Sequence, residues 1–171
     1  MKSFFQLCPD SMPLFKKNLM MKSSDPEFFD KILESLEKVD SPLSLESIRY
    51  IYSFGSDPIR IKALKAMKLL STHDELLLFD ILEKGDYSLR KEALSILIRE
   101  ESMKEKAIEK LLSIPSPFGT RNKILIENAK LIQELNLNEA KNNLVALSQK
   151  KFFWNKKLRD EAVKALEKWN A

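Results

Sequence analysis

An alanine-centred apolar stripe recurs along the chain, and it constrains the fold more than any other feature of the sequence. One copy reads Ile59, Ala63, Ala66, Met67 and Leu70, another Leu89, Ala93, Ile96 and Leu97, and the last Leu158, Ala162, Ala165, Leu166 and Trp169. Phe28, Ile32, Leu36 and Val39 fit the same frame, as do Leu125, Ala129 and Ile132. Residues spaced i, i+4, i+7 and i+8 share one helix face. A small side chain at the second position lets a neighbouring helix come close. The aligned positions 32, 63, 93, 129 and 162 lie 31, 30, 36 and 33 residues apart. A period of that size suits one helical pair per unit, stacked against the next.

The punctuation between stripes supports helices throughout. Asp25-Pro26, Ser41-Pro42, Asp57-Pro58 and Ser116-Pro117 each place a capping residue before a proline suited to a first helical turn. Thr72 and Glu75 read as a capping box, and Gly55 and Gly85 fall where helices should stop. No segment shows sustained alternation, so about ten helices and no strands are expected. Three glycines in 171 residues are too few for an all-β chain or for a glycine-lined phosphate loop.

The stretches DPIRIKALKAM, DYSLRKEALSIL and WNKKLRDEAVKAL resemble the second helices of HEAT repeats, particularly the short bacterial type. The matching positions are Asp57, Arg60 and Ala63, then Asp86, Arg90 and Ala93, then Asn155, Arg159 and Ala162. Ile126 stands where the fourth unit should carry the arginine, and Phe29 and Ile32 depart from the pattern in the first. The Trp, Gly-Tyr and closing Pro of tetratricopeptide arrays are missing. The resemblance implies an all-α fold, a right-handed α-α superhelix of about five helical pairs. It implies one domain over residues 1–171, less regular over 1–40 and clearer over 41–171. It also casts Arg60, Arg90 and Arg159 as a structural ladder between repeats.

Catalytic constellations are missing from the sequence. His73 is the single histidine and Cys8 the single cysteine, too few for a nucleophile–base pair or a zinc site. Asp and Glu residues mostly accompany lysines on helix surfaces, and there is no Walker or GxGxxG loop. No enzymatic activity, cofactor or metal is therefore expected. Gln6 and Pro9 interrupt the N-terminal apolar patch before a signal core develops, and no apolar run reaches a membrane span. With a lone cysteine, these features point to a cytoplasmic protein. The last helix runs to Trp169-Asn170-Ala171 with no polar capping unit, as a module of a longer chain would.

The stretch QKKFFWNKKLR, 149–159, sets three aromatics between two lysine pairs. Alignment with Asp86 places Asn155 at a helix start, so Phe152, Phe153 and Trp154 are expected in the turn of the last pair, one ring wedged between its helices. A nucleic-acid stacking platform is the alternative.

Charge narrows the choice of partner. Residues 1–99 carry 15 Lys+Arg against 15 Asp+Glu, and residues 100–171 carry 14 against 10, a mild bias. On the second helices the sign changes from unit to unit, whereas a duplex needs a continuous basic stripe. The expected function is thus a non-catalytic protein-binding scaffold or adaptor using the concave face. A nucleic-acid-binding protein related to the HEAT-like alkylpurine DNA glycosylases is the alternative. Lys62, Lys65, Lys68 and Lys91 are the candidate partner-binding residues, forming a basic patch for an acidic segment of another protein.

Overall fold

A computed structural model describes residues 12–21, 25–38, 42–67 and 72–169. Among them are ten α-helices, three short 3-10 turns and no strand. The helices are α1 (Met12–Met21), α2 (Pro26–Glu37), α3 (Pro42–Phe54), α4 (Asp57–Ala66), α5 (Thr72–Lys84), α6 (Tyr87–Leu97), α7 (Glu101–Leu112), α8 (Asn122–Glu134), α9 (Lys141–Ser148) and α10 (Lys156–Lys168). They divide into two compact units, Met1–Asp74 and Glu75–Ala171. Residues Cys8, Val39, Ser41, Lys68, Leu70, Asn170 and Ala171, and the side chains of Thr72 and His73, lie outside what is described, so the capping box and the histidine do too.

In the first unit α3 packs on α4, α2 lies against both, and α1 touches α3. In the second, α6 touches α7, α7 packs on α8 and α9, and α8 and α9 both pack on α10. Within each unit, therefore, first helix meets first helix and second meets second. The alanine stripe explains why. Ala63, Ala93, Ala129 and Ala162 are all 0% exposed, and the large residues beside them fill the space on either side.

The first copy of the stripe departs from its expected frame at its first two positions and keeps Leu36. Phe29, Leu33 and Leu36 are buried in α2, while Phe28 and Ile32 are half-buried. Phe29 lies edge-on to Phe54 at 5.9 Å and to Phe28 at 5.7 Å. The ring that meets α3 is thus Phe29 rather than Phe28, and Leu33 follows it one turn on.

Caps follow the sequence at Asp25 and Asp86, but Ser116-Pro117 opens only a short 3-10 turn, with no side-chain capping bond from Ser116, and α8 starts at Asn122. The Asp25 side chain accepts from Phe28 N at 3.1 Å, and Asp86 from Leu89 N at 2.8 Å. At the third proline, however, Ser56 is the cap and Asp57 already lies inside α4, with Pro58 behind it. A proline is tolerated anywhere in the first turn, because amides there have no intrahelical acceptor. The proline thus marked the turn without fixing its first residue. Gly55 and Gly85 directly follow the last residues of α3 and α5, as expected.

The three arginines divide into two roles. Arg90, 2% exposed, donates to Asn128 Oδ1 and Glu127 Oε2 on α8 and to Asp86 O at 3.3 Å. Asn128 passes the link on to Leu111 O at 2.7 Å. Arg90 is thus a rung between successive pairs. Arg60 instead reaches back to Tyr52 O at 3.3 Å, and Arg159 to Lys150 O at 2.7 Å and Phe152 O at 2.9 Å. Those two tie the second helix to the end of the first within one pair, satisfying carbonyls that have no helical partner.

A further ion pair escaped the sequence reading. Asp74 is fully buried at the start of α5, and the Arg49 guanidinium of α3 grips both its oxygens. This bidentate bond is what allows a carboxylate to sit without water contact, and it raises the Arg49 pKa.

Arg90→Ala strands Asn128 and Glu127 and should lower unfolding free energy by about 2–4 kcal/mol. Arg60→Ala, whose side chain is 37% exposed, should cost less than about 1 kcal/mol. Denaturant titration followed by circular dichroism measures both, and equal losses would contradict the division of roles.

Candidate functional site

Two surfaces are candidates for a functional site. The first is the charged face of the second helices. On α4, Lys62 Nζ donates to both Asp30 oxygens of α2, at 2.5 and 2.7 Å. Lys65 borders a groove of about 270 Å³ whose other walls include Leu33, Glu34 and Glu37. In the second unit, Lys91 of α6 donates to Glu134 of α8 at 2.7 Å. Lys62 and Lys91 therefore each meet a carboxylate of a neighbouring second helix inside their own unit. Lys68, the remaining expected partner-binding residue, lies outside the described residues.

Tyr87 joins the Lys91 cluster by donating its hydroxyl to Glu134 at 2.6 Å. Burial, reinforced by that bond and by the Glu134 charge, pushes the phenol up to about 12. The bonds from Lys91 and Tyr87 hold the Glu134 carboxyl below its ordinary value.

The second surface is the aromatic turn after α9. The turn occurs where the sequence places it: a 3-10 turn over Phe153–Asn155 leads into α10. The wedged ring does not. Phe152 is 62% exposed and Phe153 83%, with Trp154 half-buried. Polar bonds hold the turn from inside. Arg159 donates to the carbonyls of Lys150 and Phe152, as described above. From the α8 start, buried Asn122 donates from Nδ2 to Trp154 O at 2.9 Å and to Asn155 Oδ1 at 3.0 Å. Ser116 Oγ donates to Asn122 Oδ1 at 3.0 Å and accepts from Arg121 N at 3.0 Å.

A preceding turn adds a fourth ring. Phe118 takes a left-handed backbone conformation, φ 52°, and Gly119 follows at φ 74°. A Cβ on Gly119 would come within 2.8 Å of Trp154 Cδ1, so glycine there lets the indole lie against the turn. Phe118 is left 82% exposed. Trp154 is the hub of the cluster: Phe152 stacks on it at 4.6 Å and 4°, Phe153 meets it edge-on at 5.1 Å, and Phe118 is tilted at 6.0 Å. Phe118, Phe152 and Trp154 with Lys150 and Lys151 line a groove of about 730 Å³.

Sequence reasoning found three of these rings and missed Phe118. The available signal was the aromatic between Pro117 and Gly119, a turn that cannot bury its middle residue in a helix stripe. Asn122 was legible too: like Asn155, it stands seven residues before a frame alanine (129 and 162). Side by side, the two asparagines bond each other instead of capping their own helices.

No family model, curated protein or solved structure matches this chain. Among the described residues no helix is long and apolar enough to cross a membrane.

The raised phenol gives a pH signature. A group whose folded pKa exceeds its ordinary value of 10 adds stability that is complete below pH 10 and is lost as pH rises through about 12. Near-ultraviolet tyrosinate titration of the folded protein should contain a component near 12, and Tyr87→Phe should remove that component while leaving the rest of the curve unchanged.

Proposed function

We propose that this chain is a HEAT-type repeat protein whose helical pairs continue as a right-handed superhelix. In this reading it acts as a non-catalytic, protein-binding scaffold or adaptor in the cytoplasm. The observation that carries the proposal is the neutralised second-helix face. Lys62 pairs with Asp30 and Lys91 with Glu134, and buried Arg90 with Glu127. Phosphate binding depends on cations free to replace counterions, and each cation held by a carboxylate is removed from that supply. A surface of alternating, internally paired charge suits complementary protein surfaces, where such patterns set register and reject wrong partners. The groove beside Lys65, lined by Asp30, Glu34 and Glu37 together with Leu33 and Ala66, has this mixed character. The repeat reading itself rests on the buried alanines and on like helices meeting like within each unit.

The competing reading, a duplex-binding protein related to alkylpurine DNA glycosylases, requires the opposite electrostatics. Two measurements separate them. Duplex DNA titrated at physiological salt should bind more weakly than about 1 μM, the non-specific range. Affinity capture from native extract, with and without nuclease, should retain a protein partner in both. Sub-micromolar duplex binding, release of an alkylated base, or loss of every captured protein on nuclease treatment overturns the proposal.

A further inference from the structure

We infer that the aromatic groove of the second unit is a docking site for an acidic segment of a partner protein. A bulky apolar side chain of that segment would seat against Phe118, Phe152 and Trp154, with flanking Asp or Glu residues over the lysines. The inference rests on the protein-binding reading above and deepens it.

Exposure is the first argument. Phe118, Phe152 and Phe153 are more than half exposed on one small surface, whereas elsewhere the described aromatics are buried or half-buried. Contiguous exposed rings of this kind are costly in water and mark contact sites. The turn that presents them is already ordered by Arg159 and Asn122, so binding would pay little of the usual loop-ordering entropy.

Charge identifies the occupant. Several lysines elsewhere are held by carboxylates, Lys16 by Glu46, Lys62 by Asp30, Lys91 by Glu134, Lys104 by Glu139 and Lys110 by Glu83. Lys150 and Lys151 line the groove, Lys156 and Lys157 follow the rings, and none of the four takes part in an ion pair among the described residues. No carboxylate lines the groove. The groove is apolar at its centre and cationic around it. Its complement is apolar with an anionic border.

The same features weigh against other occupants. A second copy meeting this patch about a two-fold axis would set lysines against lysines. Single-stranded nucleic acid needs rings arrayed along a backbone track, but these rings gather around one indole, all within 6.0 Å of its centroid. A membrane surface favours a convex insertion, and a groove offers a receptacle.

The test uses the full chain carrying Trp169→Phe, so that emission reports Trp154. The probe is a synthetic peptide pool with one central Phe, Leu or Met between Asp and Glu residues. Controls are the same pool with a central Ser, an oligodeoxythymidylate, and phosphatidylcholine–phosphatidylserine vesicles. The acidic pool should shift Trp154 emission saturably. The Ser pool, the Phe152→Ala/Phe153→Ala variant and the Lys150→Glu/Lys151→Glu variant should each weaken binding at least about tenfold. All four substituted side chains leave the helical spectrum unchanged, because none lies in the core. No saturable shift, or equal binding by the Ser pool, overturns the inference. So does tighter binding of the oligonucleotide or vesicles, or dimerisation abolished by Phe152→Ala/Phe153→Ala. If the pool fails while that variant still retains a nuclease-resistant captured protein, the groove is rejected and the protein-binding reading stands. If the oligonucleotide binds and no protein is captured, both fall.

Discussion

Close approach at the alanine positions is the constraint on which the rest of the structure depends. Where Ala63, Ala93, Ala129 and Ala162 are completely enclosed, a longer side chain would push the neighbouring helix outward. The leucines and isoleucines on either side would then lose contacts, since interiors pack densely and tolerate added volume poorly. Because a buried alanine recurs at nearly the same point of these second helices, neighbouring pairs within each unit can meet in a similar way. That regularity also fixes where everything else is placed. Within each unit the polar edge of one second helix falls beside that of another, as the bonds from Lys62 to Asp30 and from Lys91 to Glu134 show.

Polar groups forced into these contacts are satisfied by neighbours rather than by water. Arg90 shares the buried seam between α6 and α8 with Asn128 and Glu127, and Asn128 in turn meets a carbonyl of α7. Asn122 and Asn155 do the same at the turns. Among the described residues no buried side-chain nitrogen or oxygen lacks a partner. Unpaired buried polar atoms would cost about 1–3 kcal/mol each, so these networks select one arrangement of neighbouring pairs over a slipped one.

The charge pattern divides the surface into two kinds of region. On the second helices, cations and carboxylates from adjacent pairs cancel locally, leaving short-range complementarity and little long-range field. Around the aromatic turn the cations have no such counterpart, and the rings beside them stay in water. The first arrangement links one pair to the next. The second serves no packing purpose that the interior reveals, and a turn held rigidly from within keeps it presented outward.

How much of this was written in the sequence depends on the range of the interaction. The helical type of the described residues, most of the buried stripe, the stops at Gly55 and Gly85 and the caps at Asp25 and Asp86 were legible, because each is set by residues within a turn or two of one another. Legibility already failed where two local choices were nearly equal. Phe28 and Phe29 both fit an apolar face, and contact with Phe54 decided between them; Ser56 and Asp57 can both cap, and Ser56 holds the place. It failed altogether for contacts closed across the chain. Arg60, Arg90 and Arg159 look alike in sequence, yet only Arg90 bridges pairs, because Asn128 and Glu127 stand opposite it on α8. Asp74 reads as a surface carboxylate until α3 brings Arg49 to it, and Phe118 reads as an isolated turn residue until Gly119 admits Trp154. The sequence by itself determined which face of each helix leaves water, since hydrophobic periodicity is a local property. The tertiary structure alone decided which charges cancel and which rings gather, since those depend on the distances between residues that folding brings together.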